Sequence, residues 1–283
     1  GEPLLSPVWE PLVRRLAALP DVREFGIITN GLSITREMLA VLEGIGPVRL
    51  KISAEGVGRE AYERYRGEGT HRRFLDALTA MRETSLEKTL MFTLLEENAD
   101  QVAPLFDFAR EERFDRIIVE RFIPWGRGRA TAGNAVISLA RWRDVCRVLL
   151  ERCGNEPDLS LIAPYRAFMI VRTGRSFELF GAPCVVGCDG IGLLPDGTVL
   201  PCRRFPVPLG NLRTQTMREI WDGSPVLPLV RERRFLRGKC RECDLDGCLG
   251  CRAMAYATTG DYCAEDPHCL RETEGEGSTG GRP

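Results

Sequence analysis

The chain has 283 residues, of which 43% are apolar, and its formal net charge is −1. This length accommodates one large domain or a large and a small one. The near-zero charge argues against a nucleic-acid or anionic membrane partner, and no apolar run reaches the roughly 18 residues of a membrane span. We therefore expect a small-molecule or peptide substrate.

The first 165 residues alternate short apolar runs with helical patterns. The runs predict strands at 27–29, 48–52, 90–94 and 117–119, each compact and apolar like a strand covered on both faces. Three apolar stripes predict amphipathic helices: Trp9, Leu12, Val13, Leu16 and Leu19; Val102, Leu105, Phe106 and Ala109; Leu139, Trp142, Cys146, Leu149 and Cys153. Repeated strand–helix units predict a parallel sheet, either open or closed into a barrel.

From residue 166 the sequence becomes rich in Gly, Pro and Cys, with a turn at 195–197 before a strand at 198–200. This change predicts a second module that is organised by metal. The last stretch is polar and Gly-rich and has nothing to bury, which predicts disorder. The expected domains are therefore 1–165, 166–270 and a tail at 271–283.

Eleven cysteines are present, with none before Cys146 and nine between Cys184 and Cys269. A long cysteine-free region precedes them, which favours metal binding over a disulfide-stapled secreted domain. The spacing from Cys240 to Cys251 is Cys-x2-Cys-x4-Cys-x2-Cys, which suits zinc or iron–sulfur clusters. A zinc ribbon needs only four thiolates, whereas two cubane clusters need up to eight, so the count favours iron–sulfur. Cys146 and Cys153 share the apolar stripe of one helix and are interpreted as core thiols.

Cationic residues crowd the approach to this cysteine run. Their charge could offset that of a thiolate-ligated cluster, or they could form a solvated helix face. The residues are Arg231, Arg233, Arg234, Arg237, Lys239 and Arg241.

A series of short motifs follows the predicted strands in order. They are Gly1-Glu2-Pro3, Thr29-Asn30-Gly31, Ser53-Ala54-Glu55-Gly56, Arg66-Gly67, Asn98, Arg121-Phe122-Ile123-Pro124 and Gly126-Arg127-Gly128. The tail adds Cys184-x12-Gly197-x4-Cys202, the run from Cys240 to Cys251, and Asp266-Pro267-His268-Cys269. Together these motifs resemble the radical S-adenosylmethionine enzymes that carry the twin-cluster extension called the SPASM domain. The loops at the carboxyl ends of barrel strands are also where barrel active sites lie.

The resemblance implies an α/β fold: a partial (β/α)6 TIM-like barrel that lacks its first strand, followed by a small cysteine-rich iron–sulfur domain. It implies S-adenosylmethionine contacts at Gly1, Glu2, Pro3, Thr29, Asn30, Ser53, Arg66 and Asn98. It implies one auxiliary 4Fe-4S cluster on Cys184, Cys202 and Cys251, with Cys188 as a further candidate. A second cluster would be held by Cys240, Cys243, Cys248 and Cys269, which leaves Cys263 as a structural thiol or a fallback ligand.

The family's catalytic cluster is bound by a Cys-x3-Cys-x2-Cys loop, and no such loop occurs before Cys146. We expect the loop to precede Gly1 in a longer protein, and this chain alone to be inactive. The intact enzyme would reduce S-adenosylmethionine by one electron from a donor such as flavodoxin or ferredoxin, and the resulting 5′-deoxyadenosyl radical would abstract hydrogen from substrate. The auxiliary clusters would transfer electrons or anchor that substrate.

The resemblance implies a peptide or a tetrapyrrole as substrate. Sulfatase-maturing members place an Asp after the cysteine that corresponds to Cys202, and Arg203-Arg204 stands here instead, which disfavours that activity. The two arginines could pair the carboxylates of a substrate or form salt bridges within the protein. No catalytic acid or base can be assigned.

A different class of function is also open, namely a non-enzymatic zinc-binding or iron–sulfur electron-transfer protein. Cytoplasm is the expected location, because iron–sulfur centres and free thiolates persist in reducing compartments.

Overall fold

A computed structural model describes residues 1–46, 48–131, 135–182 and 184–271, apart from the side chains of residues 127 and 131. The chain divides into two compact units. The first comprises Gly1–Arg121, Val148–Glu156 and Phe168–Phe180, and the second comprises Phe122–Arg147, Pro157–Ala167 and the chain from Gly181 onward. The domain boundaries drawn from the sequence at residues 165 and 270 stay predictions. The predicted disorder of the tail falls, after Arg271, outside the described residues.

Among the described residues, six strands form one sheet in chain order. They are β1 (Phe25–Thr29), β2 (Val48–Ala54), β3 (Glu87–Leu94), β4 (Arg116–Arg121), β5 (Ala167–Thr173) and β6 (Ser176–Ala182). Strands β1 to β4 are parallel, with Ile27 opposite Leu50 and Leu90 opposite Ile117. The mixed α/β fold is confirmed, as are the four strands predicted in the first 165 residues.

The strands differ in how completely they are covered. Residues 88–92 of β3 are all buried, as expected for an inner strand packed on both faces. Strand β2 instead alternates buried and half-buried positions, and Ile28 of β1 is 39% exposed. The expectation that both faces are covered is therefore wrong for β1, which is the edge strand in the described sheet order.

Helices separate the strands of the first unit. They are α1 (Trp9–Ala17), α2 (Arg36–Ile45), α3 (Arg59–Arg66), α4 (Thr70–Met81) and α5 (Val102–Glu111). The predicted stripe of α5 is buried along its whole length. The stripe predicted for α1 is only partly buried, because Leu12 is 54% exposed and Leu19 lies beyond the end of the helix.

The predicted helix with two cysteines is α6 (Leu139–Arg152). Trp142, Cys146 and Leu149 are buried in it, in agreement with a core role for Cys146. Cys153 follows the helix and is half-buried. Burial raises the pKa of the Cys153 thiol to about 12, so this group is protonated at neutral pH.

The second unit consists of short elements around its own core. A small antiparallel sheet contains β7 (Gly192–Leu193), β8 (Thr198–Leu200) and β9 (Gly210–Asn211). The helices that follow are α7 (Met217–Gly223), α8 (Val226–Arg231), α9 (Lys239–Glu242) and α10 (Arg252–Thr259). Val199, Phe205, Leu227 and Met254 pack together in the core, beside Cys251. The predicted turn before β8 is present, and its Gly197 has a φ of +89°.

Across the described ranges, none of the helices combines the length and the apolar composition that crossing a bilayer requires.

Candidate functional site

The carboxylate of Glu2 joins the start of the chain to the end of β1. Its Oε1 accepts hydrogen bonds from Thr29 Oγ1 at 2.6 Å and from Leu4 N at 3.3 Å, while its Oε2 accepts one from Asn30 N at 2.8 Å. Thr29 Oγ1 also accepts a bond from Gly31 N at 3.1 Å. The predicted segments Gly1-Glu2-Pro3 and Thr29-Asn30-Gly31 are thus brought together at one end of the parallel sheet.

The loop after β2 lies at the same edge of the sheet, because parallel strands end on the same side. Ser53 is half-buried near the end of β2. A Cβ on Gly56 would come within 2.5 Å of the Cβ of Ala61, so glycine allows this loop to pack against α3. Arg66, the last residue of α3, donates two hydrogen bonds to Glu55, at 2.7 and 2.6 Å. This bidentate pair fixes the predicted Ser53 loop relative to α3.

Asn98 follows β3 in a 3-10 helix at Glu96–Gln101, and it is 2% exposed. Its Nδ2 donates to the carbonyls of Glu55 and Thr93, at 2.9 and 3.0 Å, while Oδ1 accepts from Leu95 N at 2.7 Å. Because both amide hydrogens are committed to the backbone, Asn98 holds the Glu55 loop in place.

In the second unit, three of the predicted metal ligands line one cavity of about 280 Å³. They are Cys184, Cys202 and Cys251, and the cavity is also lined by Arg166, Arg203 and Arg204. Burial, and then the electrostatic effect of the nearby Cys251, raise the pKa of Cys184 to about 11. Cys188 is exposed and lies outside the residues that line this cavity.

The other predicted ligands lie around α9 and the loop after it. The sulfur of Cys240 accepts hydrogen bonds from Arg252 Nη2 and from Asp266 N, both at 3.4 Å. Arg271 Nη1 donates to the sulfur of Cys243 at 3.4 Å. The sulfur of Cys248 accepts a hydrogen bond from Arg166. Hydrogen bonds to the sulfurs are a feature by which proteins tune thiolate-ligated clusters.

Cys269 completes this second group. Its pKa is raised, mainly by burial, and the charges of Asp266 and Cys240 act in the same direction. His268, the residue before it, is buried and donates its backbone N–H to Asp266 at 3.0 Å.

One of the crowded cations organises the backbone of the cysteine loop. Arg233 donates to the carbonyls of Cys240, Cys243, Leu245 and Cys248. By contrast, Arg234 and Arg237 are exposed and form ion pairs with Glu232 and Asp261. Of the two interpretations of these cations, compensation of cluster charge is more compatible with Arg233, which contacts the cysteine loop. The solvent-exposed face is more compatible with Arg234 and Arg237.

Sequence reasoning missed two buried arginines that contact the cysteines. Arg252 is fully buried and donates to the carbonyls of Tyr262 and Ala264 as well as to Cys240. Arg166, 7% exposed, precedes β5 and no motif marks it. In the sequence, the positive charge of each arginine is the one feature that could have marked it, because the residues around it suggest no functional site.

The donor set fits iron–sulfur clusters. In the described parts of the chain, no three Cys, His, Asp or Glu side chains lie close enough to hold a single metal ion. The buried Nε–H groups of Arg166 and Arg252 have no hydrogen-bond partner among the described protein groups. Sulfide atoms beside the thiolates would satisfy such donors, since buried polar groups are normally hydrogen-bonded.

Two family models match the chain. The model of the radical SAM superfamily matches residues 1–109, which include every residue predicted to contact the cofactor. The model of the SPASM iron–sulfur cluster-binding domain matches residues 184–244, which include five of the predicted cluster ligands. Those five are Cys184, Cys188, Cys202, Cys240 and Cys243. Domains of these two kinds bind 4Fe-4S clusters and S-adenosylmethionine.

Curated relatives match almost the whole chain. An AdoMet-dependent heme synthase of Methanosarcina barkeri is 29% identical, over 95% of this chain and 80% of its own length. A PqqA peptide cyclase of Streptomyces rochei is 28% identical, over 95% of this chain and 74% of its own. Among solved structures, Streptococcus suis SuiB bound to S-adenosylmethionine superimposes with a TM-score of 0.63 and 16% identity. That alignment covers 96% of this chain and 65% of SuiB, and it supports the fold.

Substituting Gly250 should disturb the cysteine loop. Gly250 has a φ of +68°, and a Cβ there would lie 2.9 Å from Cys240 Sγ and 3.0 Å from Asp266 Cβ. Gly247 has the same φ but nothing within 4 Å of its Cβ position, which makes it the matched control. We expect Gly247→Ala to lower the free energy of unfolding by about 1–2 kcal/mol, the cost of the left-handed backbone. Gly250→Ala should cost a further 1–3 kcal/mol or so through overpacking.

Denaturant titration of the two variants without bound iron measures this difference. Equal costs for Gly250→Ala and Gly247→Ala would contradict the close packing of Gly250 against Cys240.

Proposed function

We propose that this protein modifies a tetrapyrrole with carboxylate side chains through radical hydrogen abstraction, since residues 1–109 match the radical SAM superfamily and residues 184–244 match the SPASM domain. The observation that carries the proposal is that one chain combines the Glu2 edge of a parallel sheet with a cysteine cavity bordered by Arg203 and Arg204. Similarity to a heme synthase over 80% of that enzyme's length supports the choice of substrate.

S-adenosylmethionine and its reducing cluster would supply a 5′-deoxyadenosyl radical. With one electron, that chemistry would convert S-adenosylmethionine and substrate to methionine, 5′-deoxyadenosine and a substrate radical. An electron donor such as flavodoxin or ferredoxin would provide the first electron. The protein's part is to bind and orient the reactants and to exclude water.

The proposed cofactor contacts lie at the edge of the sheet where β1 and β2 end. They are Gly1, Glu2, Pro3, Thr29, Asn30, Ser53, Arg66 and Asn98. Glu2 keeps the first residues of the chain next to Thr29 and Asn30. Arg66 and Asn98 act on the same loop, through the Glu55 carboxylate and the Glu55 carbonyl respectively.

Two ligand sets are proposed in the second unit. Set one comprises Cys184, Cys202 and Cys251, which line the common cavity. Set two comprises Cys240, Cys243, Cys248 and Cys269, which surround α9 and the loop after it. Cys188 is the remaining candidate for set one, but its exposure places it at the margin. A set of only three thiolates would leave one iron open to a substrate ligand.

A peptide is the second candidate substrate. Similarity to a PqqA peptide cyclase at 28% identity over 95% of this chain favours it. A peptide would use the same cavity, because acidic side chains would meet the same pair of arginines.

Replacing Glu2 should weaken cofactor binding. Glu2→Gln removes the charged acceptor that Thr29 and Asn30 share, so we expect S-adenosylmethionine to bind about tenfold more weakly, or ~1.4 kcal/mol. Isothermal titration calorimetry measures the affinity. Glu10→Gln is the control, because Glu10 is exposed and pairs only with Arg14 in the described contacts of α1. Unchanged affinity in Glu2→Gln, or no binding by the wild-type chain, would refute the proposed contact set.

Removing a ligand of set one should remove one cluster. After anaerobic reconstitution with iron and sulfide, we expect about eight irons per wild-type chain and about four in Cys202→Ser. Cys153→Ser, which removes a half-buried thiol next to α6, should keep the full content, and so should Cys188→Ser. Iron and zinc analysis provides the measurement. A colourless wild-type protein with stoichiometric zinc would instead favour the non-enzymatic zinc alternative.

The pair of arginines should govern substrate binding. Arg203→Gln combined with Arg204→Gln should weaken the binding of a tetrapyrrole carboxylate by about a hundredfold or more, since two charge-assisted contacts of about 1.5–3 kcal/mol each are lost. Absorbance titration of the reconstituted chain follows the binding. Arg213→Gln is the control, because Arg213 is exposed and donates to the carbonyl of Asp196. If only an acidic peptide binds in an arginine-dependent way, the peptide alternative replaces the tetrapyrrole.

A further inference from the structure

The guanidinium of Arg166 lies next to cysteines of both proposed ligand sets. Its Nη2 donates to the sulfur of Cys248, which belongs to set two. The same side chain lines the cavity formed by Cys184, Cys202 and Cys251, which are set one. Arg166 is 7% exposed, so solvent screens its charge only weakly.

Asp266 pairs with Arg166 and also contacts both sets. The two side chains form an ion pair at 3.6 Å, with side-chain exposures of 7% and 1%. Asp266 Oδ2 accepts the backbone N–H of Cys251 at 2.8 Å, and the backbone N–H of Asp266 donates to the sulfur of Cys240 at 3.4 Å. One buried ion pair therefore joins a ligand of each set.

The charge environment agrees with this position. Burial alone would lower the pKa of Arg166, but the charge of Asp266 and the electrostatic effects of Cys248, Cys251 and Cys184 outweigh it and raise the pKa. Two of these cysteines belong to set one and the third belongs to set two.

The hydrogen bonds of Arg166 explain why arginine is present rather than lysine. Nη1 donates to the carbonyls of Ala163 and Tyr165, both at 3.2 Å, while Nη2 reaches Cys248. The buried Nε–H keeps no partner among the described protein groups. The rigid guanidinium thus anchors itself to the backbone with one nitrogen and leaves two others for sulfur.

We propose that Arg166 is a positioning residue that raises the reduction potentials of both auxiliary clusters. A thiolate-ligated cluster is anionic and becomes more negative when it gains an electron, so a buried cation stabilises the reduced form. Because the same cation contacts both sets, its removal must shift both potentials in the same direction. Asp266 fixes the guanidinium in this place, since its Oδ2 lies 3.6 Å from Arg166 Nη1. The inference rests on the ligand sets proposed above.

The test compares Arg166→Gln and Arg166→Lys in the full chain after anaerobic reconstitution. Iron and sulfide content is measured first, and the midpoint potentials are then determined by a redox titration followed by electron paramagnetic resonance. In Arg166→Gln we expect both potentials to become more negative, with at least a tenfold smaller equilibrium constant for reduction, which is about 59 mV for a one-electron couple. Arg166→Lys keeps the charge and should retain most of both potentials. Arg234→Gln is the control, because Arg234 is exposed and pairs with Glu232.

Several outcomes would overturn the inference. Arg166→Gln with full iron content and unchanged potentials would do so, and so would a shift confined to one cluster or an equal shift in Arg166→Lys. If Arg166→Gln fails to retain iron, Arg166→Lys decides: full iron with near wild-type potentials supports the role of the charge, whereas loss of iron in both variants refutes it. A wild-type chain that takes up no iron would overturn the ligand sets themselves, which separates failure of the proposed function from failure of this inference alone.

Discussion

Arginine side chains hold the cysteine loop of the second unit in place through hydrogen bonds to its backbone carbonyls and to its sulfurs. Burying a charge is unfavourable unless it is paired and hydrogen-bonded. Arg166 and Arg252 meet this condition by combining backbone carbonyls with sulfur, and Arg166 adds a carboxylate. Arg166 contacts Cys248, which lies 82 positions away in the sequence, and Arg252 contacts Cys240. The conformation of the cysteine loop therefore depends on these two arginines. Arg233 completes the arrangement by binding four carbonyls of that loop.

A different constraint governs the first unit. Parallel strands have their carboxyl ends at the same edge of a sheet. Short motifs that follow different strands therefore become neighbours, although they are far apart in the sequence. Glu2 and Thr29 are 27 positions apart, yet their side chains are 2.6 Å from each other. Asn98 links the loops after β2 and β3 through its amide. The polar groups at this edge form two hydrogen-bonded groups, one around Glu2 and Thr29 and the other around Glu55, Arg66 and Asn98.

The sequence predicted the four strands of the first 165 residues and their parallel direction, because both follow from periodicity and from the alternation of strands with helices. It also singled out the cysteines of the proposed ligand sets, since the spacing of Cys240 to Cys251 is local. It could not predict contacts that depend on tertiary packing. Arg166 is 82 positions from Cys248, and nothing in the residues around it announces that contact. The exposure of Leu12 and Ile28 was missed for the same reason. Periodicity identifies the apolar face of a helix or strand, but it does not show whether another element packs against that face.

The arginines that line the cysteine cavity differ in solvent exposure, and this difference limits which ligand each of them can bind. Arg166 is buried and held by carbonyls and by Asp266, so it can influence a cluster but cannot follow a substrate that enters and leaves. Arg203 is exposed on the same cavity and can meet a ligand from solvent. An anionic substrate and an anionic cluster would repel each other in one cavity if a single cation served both. Separate inner and outer cations would remove that conflict, and under the proposed function they would allow a carboxylate-bearing substrate to approach the open side of set one.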